Sequence, residues 1–159
     1  MLRHGRPFCG VVYDPLTDQL FTGLVGYGAW LNERPLRVTP MSRSARSLFC
    51  VRTPYRDGVP PFAARWLARY RLRRVGSTAL HLCYVATGAL AFVHDPRATL
   101  WDIAGAAPVV LEAGGMLTAE RGAPIFPLDP DGYHGEPIAF LAGDPMAHHE
   151  TLREVLEVG

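Results

Sequence analysis

The sequence has little net charge, few cysteines and no long apolar run. Its 159 residues carry 16 arginines and no lysine against 15 aspartates and glutamates, a formal charge of +1, so no basic excess argues for a nucleic-acid or anionic-membrane surface. No segment offers about 18 uninterrupted apolar residues, and the first residues, MLRHGRPFCGVV, lack the apolar run of a signal peptide. These absences predict a soluble protein with neither a nucleic-acid partner nor a membrane partner.

The sequence also lacks recognisable metal-binding or nucleophile motifs built on Cys, His or Ser. Cys9, Cys50 and Cys83 are far apart and each lies among apolar residues, which predicts buried reduced thiols and a cytoplasmic location. None has the CxxC or Cys/His spacing of a zinc site. His148 and His149 are adjacent rather than four residues apart, so we expect them to be exposed. No GxSxG or Walker A motif occurs.

An antiparallel meander is predicted over residues 10–38. Short β-prone runs alternate there with turn residues at 14–18, 26–28 and 32–35. The first run, CGVVYDP, is apolar enough to need neighbours on both sides. We therefore expect its free edge to promote self-association, with a homodimer as one outcome.

Strand and helix patterns alternate after residue 46. With 48% apolar residues the chain can build one core, and the alternation predicts a single α/β unit with helices packed on a mostly central sheet. Strands are expected at Ser47–Val51, Leu72–Val75, Leu90–Val93, Met116–Ala119 and Ile138–Ala142, and helices at Pro61–Tyr70, Ser77–Thr87, Trp101–Ala113 and Pro145–Glu157.

Three polar positions are candidates for a site, and each has a simple structural interpretation. Asp102 stands at a helix start and is, by itself, a cap more often than a metal ligand, with Gly114 or Gly115 closing the same helix in the left-handed conformation. Gly76-Ser77-Thr78-Ala79 opens the next helix upstream, where an N-cap is the plain interpretation and anion binding the functional one. Asp95, in HDPRAT, is typical of a solvated turn.

The motifs in combination identify a family. WDIAGAAPVVLEAGG resembles the second signature of the inositol monophosphatase family, GSTA resembles its G-[ST]-A-A segment, and GVVYDPLTDQLFTGLVGYGAWLNERPLRV is similar to its GVVYxPxxxxLFxAxxGxGAxxNGxPIxV. Two positions depart from these patterns. Thr78 replaces the usual Ala, and Glu33 replaces the usual Gly of a turn, a change expected to be harmless if that turn is wide enough.

The resemblance implies a fold and an activity. The fold would be the C-terminal part of a layered αβαβα sandwich of helices and mixed sheet, with residues 1–40 in the family's first sheet and 41–159 in an α/β subdomain. The activity would be Mg²⁺-dependent hydrolysis of a small polyol or sugar phosphate such as inositol monophosphate. Asp102 would be a Mg²⁺ ligand, and the substrate would contact Gly76, Ser77, Thr78 and Asp95.

One family motif is missing. The first signature, D-P-[IL]-D-G-T, supplies two further carboxylate ligands, and no such run occurs; the segment 14–18 lacks Asp at the fourth position and Gly-Thr after it. We therefore expect the N-terminal part of the family fold to be absent. A misassigned start, a truncated gene and a shortened protein without catalysis all explain this. The alternative function is an inactive remnant acting through self-association or partner binding.

Overall fold

The computed structural model describes residues 1–55 and 58–158, without the side chain of Val158. Its strands are β1 (Leu2–Arg3), β2 (Arg6–Pro7), β3 (Cys9–Asp14), β4 (Gln19–Leu24), β5 (Gly28–Leu31), β6 (Arg34–Pro35), β7 (Leu48–Val51), β8 (Arg71–Leu72), β9 (Phe92–Ala98), β10 (Met116–Ala119) and β11 (Ile138–Gly143). Its helices are α1 (Pro61–Arg69), α2 (Thr78–Ala86), α3 (Leu100–Ile103), α4 (Ala107–Glu112) and α5 (Pro145–Val158).

Strands β3 to β6 form the predicted antiparallel meander. The sheet order is β3-β4-β5-β6, so β3 lies at an edge. β3 and β4 pair from Cys9↔Leu24 to Asp14↔Gln19 around the first turn, and the short β1-β2 hairpin forms a separate sheet before them. The meander over residues 10–38 is therefore confirmed, with its turns where the sequence placed them.

The second sheet is mixed and lies at the centre of the fold. Its order is β10-β11-β9-β7-β8, with β7 parallel to both β8 and β9, and with β11 antiparallel to both β9 and β10. The parallel pairs connect through helices, as a parallel crossover requires. The predicted α/β class with helices on a mixed sheet is confirmed.

Helices α2 and α4 lie between the two sheets. They share one apolar core with Phe21 of the first sheet and with Val93 and Phe140 of the second. On the other face of the second sheet, α1 and α5 bury Trp66 and Val155 against Phe49 and Phe92. The layers therefore run sheet, helices, sheet, helices, and the parts of the candidate site lie where the inner helix layer meets the second sheet.

The first sheet approaches α4 closely enough to require glycine. A Cβ on Gly10 would lie 1.9 Å from the carbonyl oxygen of Gly105, and one on Gly23 would lie 2.5 Å from the backbone nitrogen of Val109. No side chain fits between backbones at this separation. The small residues of the WDIAGAAP segment therefore allow the meander to pack directly on the turn that precedes α4.

The helix predicted over Trp101–Ala113 is interrupted. α3 ends at Ile103 and α4 begins at Ala107, with a turn between them. Pro108 explains the break, because proline has no N–H to donate to the carbonyl of Ala104 and its ring would crowd that carbonyl. The end of the helix is as predicted, since Gly114 adopts φ +88° and Gly115 N–H donates to Val110 at 2.9 Å.

Two strand predictions need correction. The strand expected at Leu90–Val93 is β9, which runs from Phe92 to Ala98 and contains Asp95; its pairing with β11 shifts register beside Pro96, where a bulge accommodates a residue without an N–H. The strand expected at Leu72–Val75 is only Arg71–Leu72.

The expectation of two exposed histidines is wrong for His148. This side chain is 1% exposed, and its Nε2 lies 2.9 Å from Thr118 Oγ1. Burial lowers its pKa to about 4, so the ring is neutral in the folded protein. His149, one position along α5, is exposed as predicted.

None of the helices in residues 1–55 and 58–158 is both long enough and apolar enough to cross a membrane.

Candidate functional site

The predicted site residues come together in one cavity. Gly76, Ser77 and Thr78 at the start of α2, Asp95 in β9 and Asp102 in α3 line a space of about 370 Å³. This volume is in the range of sites for small molecules. Other side chains on its wall are Cys50, Arg52, Arg74, Ala79, His81, Val93, His94 and Trp101.

The start of α2 is built by local hydrogen bonds. Ser77 is the N-cap, and its Oγ accepts from the N–H of Leu80 at 3.3 Å. Gly76, just before it, adopts φ +82°, a conformation that favours glycine. His81 Nε2 accepts from the N–H of Val75 at 3.0 Å and so holds the preceding loop against the helix. The N-cap interpretation is therefore confirmed. The backbone N–H groups of this turn lie at the positive end of the helix dipole, which favours an anion.

Asp95 is a buried carboxylate rather than a solvated turn acid. It is 3% exposed, and its Oδ1 accepts from the N–H of Arg97 at 2.9 Å. Its Oδ2 accepts from Thr78 Oγ1 at 3.0 Å and lies 3.5 Å from Arg52 Nη1. A carboxylate this deep must be stabilised by hydrogen bonds and by an opposite charge, and it has both.

Thr78, the residue that departs from the family pattern, is a partner of Asp95. Alanine at this position has no hydroxyl to donate, so the 3.0 Å hydrogen bond exists only because of the departure. Local sequence patterns do not predict that the two residues meet, because they are 17 positions apart on different elements.

Asp102 closes the first turn of α3. Its Oδ2 accepts from the N–H of Thr99 at 2.9 Å and from the Thr99 hydroxyl at 2.7 Å, an arrangement that fixes the carboxylate. The side chain is half-buried and lines the cavity. Both cap bonds go to Oδ2, so Oδ1 takes no part in the capping hydrogen bonds.

The described residues do not by themselves form a metal site. Within residues 1–55 and 58–158, no group of three or more His, Cys, Asp or Glu side chains is arranged to hold an ion. Mg²⁺ takes about six oxygen ligands, and Asp95 already serves Thr78, Arg97 and Arg52. Asp102 can therefore supply one ligand, and the set as it stands does not fit a bound Mg²⁺.

Neither Cys50 nor His81 is an activated nucleophile or base in this cavity. Burial raises the pKa of Cys50 to about 12, so its thiol stays protonated. Burial, assisted by the charge of Arg74, lowers the pKa of His81 to about 4, and its Nε2 already accepts from Val75. The wall is suited to binding an anionic, hydroxylated molecule rather than to covalent catalysis.

Sequence reasoning missed eight of the residues that line this cavity, including two arginines and two histidines. Arg52, Arg74 and His81 were not among the predicted site residues, yet all three line its wall. His81 lies four residues after the N-cap Ser77, on the same face of α2, which is the one signal that points to it. Arg52 follows β7 and meets Asp95 only through the pairing of β7 with β9.

Comparison with known proteins gives one consistent family. The sequence model of the inositol monophosphatase family matches residues 1–157. Inositol monophosphatase 1 of Solanum lycopersicum is 41% identical over 125 residues, which cover 74% of this chain and 46% of that protein. The Nus factor SuhB of Xylella fastidiosa is 30% identical over 176 aligned positions, covering 100% of this chain and 59% of SuhB.

Solved structures agree in fold. The inositol monophosphate-bound structure of SaIMPase-II superposes with a TM-score of 0.81 at 28% identity, over 96% of this chain and 59% of that one. An inositol monophosphatase from Anabaena gives a TM-score of 0.78 at 30% identity, over 96% and 60%. The chain thus spans about half the length of the curated relatives it matches.

Proposed function

This chain belongs to the inositol monophosphatase family, and from that premise we propose that it forms the substrate-binding part of a phosphomonoesterase acting on a small polyol or sugar phosphate, such as inositol monophosphate. One observation carries the proposal. The residues that the family resemblance implies for the site come from three separate elements and line a single cavity. Hydroxyl groups, a buried carboxylate and two arginines also form its wall. Inositol monophosphate is bound by one structure with the same fold.

Each proposed role follows from the chemistry of the side chain. Asp95 accepts hydrogen bonds from substrate hydroxyls, because a carboxylate offers more acceptor positions than Thr78 and Arg97 occupy. The N–H groups and hydroxyls at Ser77 and Thr78 bind oxygen atoms of the substrate at the positive end of α2. Glycine is favoured at position 76 by its φ of +82° rather than by lack of space, since a Cβ there would meet no atom within 4 Å.

We propose Mg²⁺ as the cofactor of the complete site, with Asp102 as one of its ligands. The role of Asp102 as a ligand is supported by the orientation of its carboxylate, which two hydrogen bonds from Thr99 fix. The other ligands are not among the residues described, so hydrolysis requires groups beyond this set. The three free thiols are in keeping with a reducing compartment, and we place the protein in the cytoplasm.

Self-association without catalysis is the second candidate function. It is favoured by the apolar side chains on the outer face of the first sheet, where Val11, Tyr13 and Leu20 are 63%, 54% and 41% exposed. A face of this kind beside the free edge of β3 is suited to pairing with a second copy. This function needs neither Asp95 nor Asp102.

Binding of inositol monophosphate to the 159-residue chain tests the first proposal. We expect saturable chemical-shift changes in residues of the cavity, with affinity reduced about tenfold or more by Asp95→Asn, because the amide loses the charge that substrate hydroxyls meet. Asp131→Asn, in an exposed loop, is the matched control and should leave affinity unchanged. Equal affinity for both variants would contradict the assignment of Asp95.

Phosphate release in the presence of Mg²⁺ tests the catalytic part. Turnover that Asp102→Asn abolishes and Asp131→Asn leaves intact supports a phosphatase with Asp102 at the metal. Binding of inositol monophosphate without any turnover or Mg²⁺ binding would show that this chain contributes substrate binding alone. A dimer in light scattering that binds no phosphate compound would favour self-association instead.

A further inference from the structure

The arginines are distributed unevenly along the chain. Residues 58–94 contain five arginines and no aspartate or glutamate, whereas the rest of the chain contains 11 arginines against 15 acidic residues. The formal charge of +1 therefore combines a strongly basic segment with an acidic remainder. The prediction of no nucleic-acid partner rests on the net charge, which does not report this distribution. A charge asymmetry of this kind is typical of chains that bind a polyanion.

The five arginines of the basic segment are all exposed, and they follow one another through α1, β8 and the residues just after β8. We call them the arginine band, and its members are Arg65, Arg69, Arg71, Arg73 and Arg74. The exposed positions of a segment without acidic residues form a surface of one sign of charge, and such a surface attracts anions.

Two members of the arginine band lie on the edge strand of the second sheet. β8 is the last strand of that sheet, and it pairs in parallel with β7. Leu72 packs into the apolar cluster that β7 shares with α1 and α5. Because side chains alternate along a strand, Arg71 and Arg73 lie on the opposite face of the edge from Leu72.

Two other members lie on α1, on the side of the edge that Leu72 faces. Arg65 and Arg69 are four residues apart and are therefore neighbours on the helix surface. Arg69 lies 3.8 Å from Glu154, but that carboxylate already pairs with Arg43 at 2.9 Å. Positive charge is therefore present on both sides of the β8 edge.

A basic edge of this shape favours a flexible partner. A bilayer surface is flat and meets only one side of an edge. A duplex of RNA has a major groove too narrow for side chains and a shallow minor groove. A single strand can bend around the edge, and the planar guanidinium of arginine is well matched to its phosphates.

The basic segment offers phosphate contacts rather than base contacts. Its aromatic side chains are all buried or half-buried, namely Phe62, Trp66, Tyr70, Tyr84 and Phe92. Bases of a bound strand thus have no exposed ring in this segment on which to stack. Contacts to phosphate carry no direct sequence information, so binding here is independent of base sequence.

We infer that the arginine band around β8 binds the phosphate backbone of single-stranded RNA. RNA supplies most of the single-stranded nucleic acid in the cytoplasm, where we place the protein. This activity goes beyond the proposed phosphatase and does not depend on it, because Arg71 and Arg73 do not line the cavity of Asp95 and Asp102.

Fluorescence anisotropy of a labelled 20-nucleotide uridine RNA tests the inference on the 159-residue chain, at a series of NaCl concentrations. Each phosphate contact contributes about −0.7 to the slope of log association constant against log salt. We expect a slope of about −2 or steeper, because at least three arginines take part. A mixed-sequence RNA should bind equally well, and a duplex of the same length more weakly.

Paired variants identify the surface. Arg71→Gln with Arg73→Gln should make the slope shallower by about 1.4 and weaken binding about tenfold or more at low salt. Arg34→Gln with Arg37→Gln is the matched control, since both side chains are exposed and belong to the region of the first sheet. It removes the same charge and should keep the slope of the wild type.

Arg65→Gln gives a second measurement that leaves β8 unchanged. It should make the slope shallower by about 0.7, so the inference is tested even if the double variant at β8 fails to fold. Inositol monophosphate should bind all these variants as it binds the wild type, which keeps this test separate from that of the proposed function.

Several outcomes overturn the inference. A wild-type chain whose anisotropy signal does not respond to salt has no phosphate-binding surface. Equal losses in the two double variants assign binding to net charge rather than to the β8 edge. Phosphatidylserine vesicles that bind at lower protein concentrations than RNA assign the band to a bilayer. Polyglutamate that does so assigns it to an acidic protein.

Discussion

Thr78 Oγ1 donates a 3.0 Å hydrogen bond to Oδ2 of Asp95, and this bond ties the first turn of α2 to the middle of β9. The carboxylate is buried and also accepts from the N–H of Arg97, so its orientation in the cavity is determined before any ligand arrives. A site residue that is already oriented loses little conformational entropy when it binds.

Removing the hydroxyl of Thr78 should therefore cost stability. Thr78→Ala leaves a buried carboxylate with one donor fewer, and we expect the free energy of unfolding to fall by about 1.5 kcal/mol. Urea denaturation followed by circular dichroism measures it. Thr78→Ser keeps the hydroxyl and should lose much less; equal losses in the two variants would show that the bond to Asp95 contributes nothing.

Gly10 and Gly105 face each other, but we expect them to respond differently to alanine. A Cβ on Gly10 would lie 1.9 Å from the Gly105 carbonyl oxygen, so Gly10→Ala must separate the first sheet from α4 and should destabilise the fold by about 3 kcal/mol. A Cβ on Gly105 would meet its nearest atom, the carbonyl oxygen of Val11, at 3.5 Å, an ordinary contact.

Gly105→Ala therefore serves as the control for Gly10→Ala. Thermal unfolding of the two variants should show a large loss for the first position only. A similar loss at both positions would mean that the two backbones do not approach each other as the structure has them.

Two buried histidines should make the fold sensitive to acid. The pKa of His81 and that of His148 are each lowered by burial to about 4, against 6.5 for an unperturbed side chain. The unfolded chain therefore binds protons that the folded chain does not, and stability present above pH 6.5 is lost as the pH falls towards 4. We expect a loss of about 2 kcal/mol per histidine between pH 7 and pH 5.

The free energy of unfolding measured across this pH range checks the prediction. His148→Gln should reduce the slope of the free energy of unfolding against pH, because it removes one of the two titrating groups. This holds whatever its effect on stability at neutral pH. His149→Gln changes the exposed neighbour and should leave the slope as it is. A stability that is flat from pH 7 to pH 5 would contradict the neutral, buried state of both rings.

The turn between β5 and β6 is strained at Glu33. Asn32 and Glu33 adopt φ of +44° and +68°, the left-handed region, in a two-residue connection where the second position favours glycine. The condition under which Glu33 was expected to be harmless, a wide turn, is not met, because only two residues connect the strands. Glu33→Gly should raise the free energy of unfolding by about 1 kcal/mol.

Asn32→Gly is the matched substitution at the neighbouring position. It relieves the same backbone conformation, but the Asn32 side chain accepts from the N–H of Leu20 at 2.7 Å and donates to the carbonyl of Asp18 at 2.9 Å. We expect this variant to be less stable than the wild type in urea. A gain of stability at position 32, or a loss at position 33, would contradict the assignment of strain.

Much of the fold could be predicted from local sequence. Turn residues around β3 to β5 marked the meander, Ser77 marked the start of α2, and Gly114 marked the end of α4, because each of these residues acts through its own backbone conformation. Pro108 also indicates a break in the helix predicted over residues 101–113, because proline lacks an N–H. The apolar pattern runs through this position without interruption and favoured one continuous helix.

Burial and pairing between distant residues could not be predicted from local sequence. The polar pattern of HDPRAT suggested a solvated turn, yet Asp95 is buried in a strand, since Thr78 and Arg52 reach it from α2 and from the end of β7. His148 is buried for a similar reason, because Thr118 of β10 lies against its ring.

The sequence by itself determined the family and the alternation of strands and helices, and it named five of the residues that line the candidate cavity, Gly76, Ser77, Thr78, Asp95 and Asp102. The tertiary structure decided which of those residues meet, which charges are compensated, and that Arg74 alone of the two cavity arginines has no anionic partner among the residues described. The physical reason is that motifs report on a chain's local geometry and chemistry. Hydrogen bonds, burial and charge compensation depend on distances between elements, and only packing sets those distances.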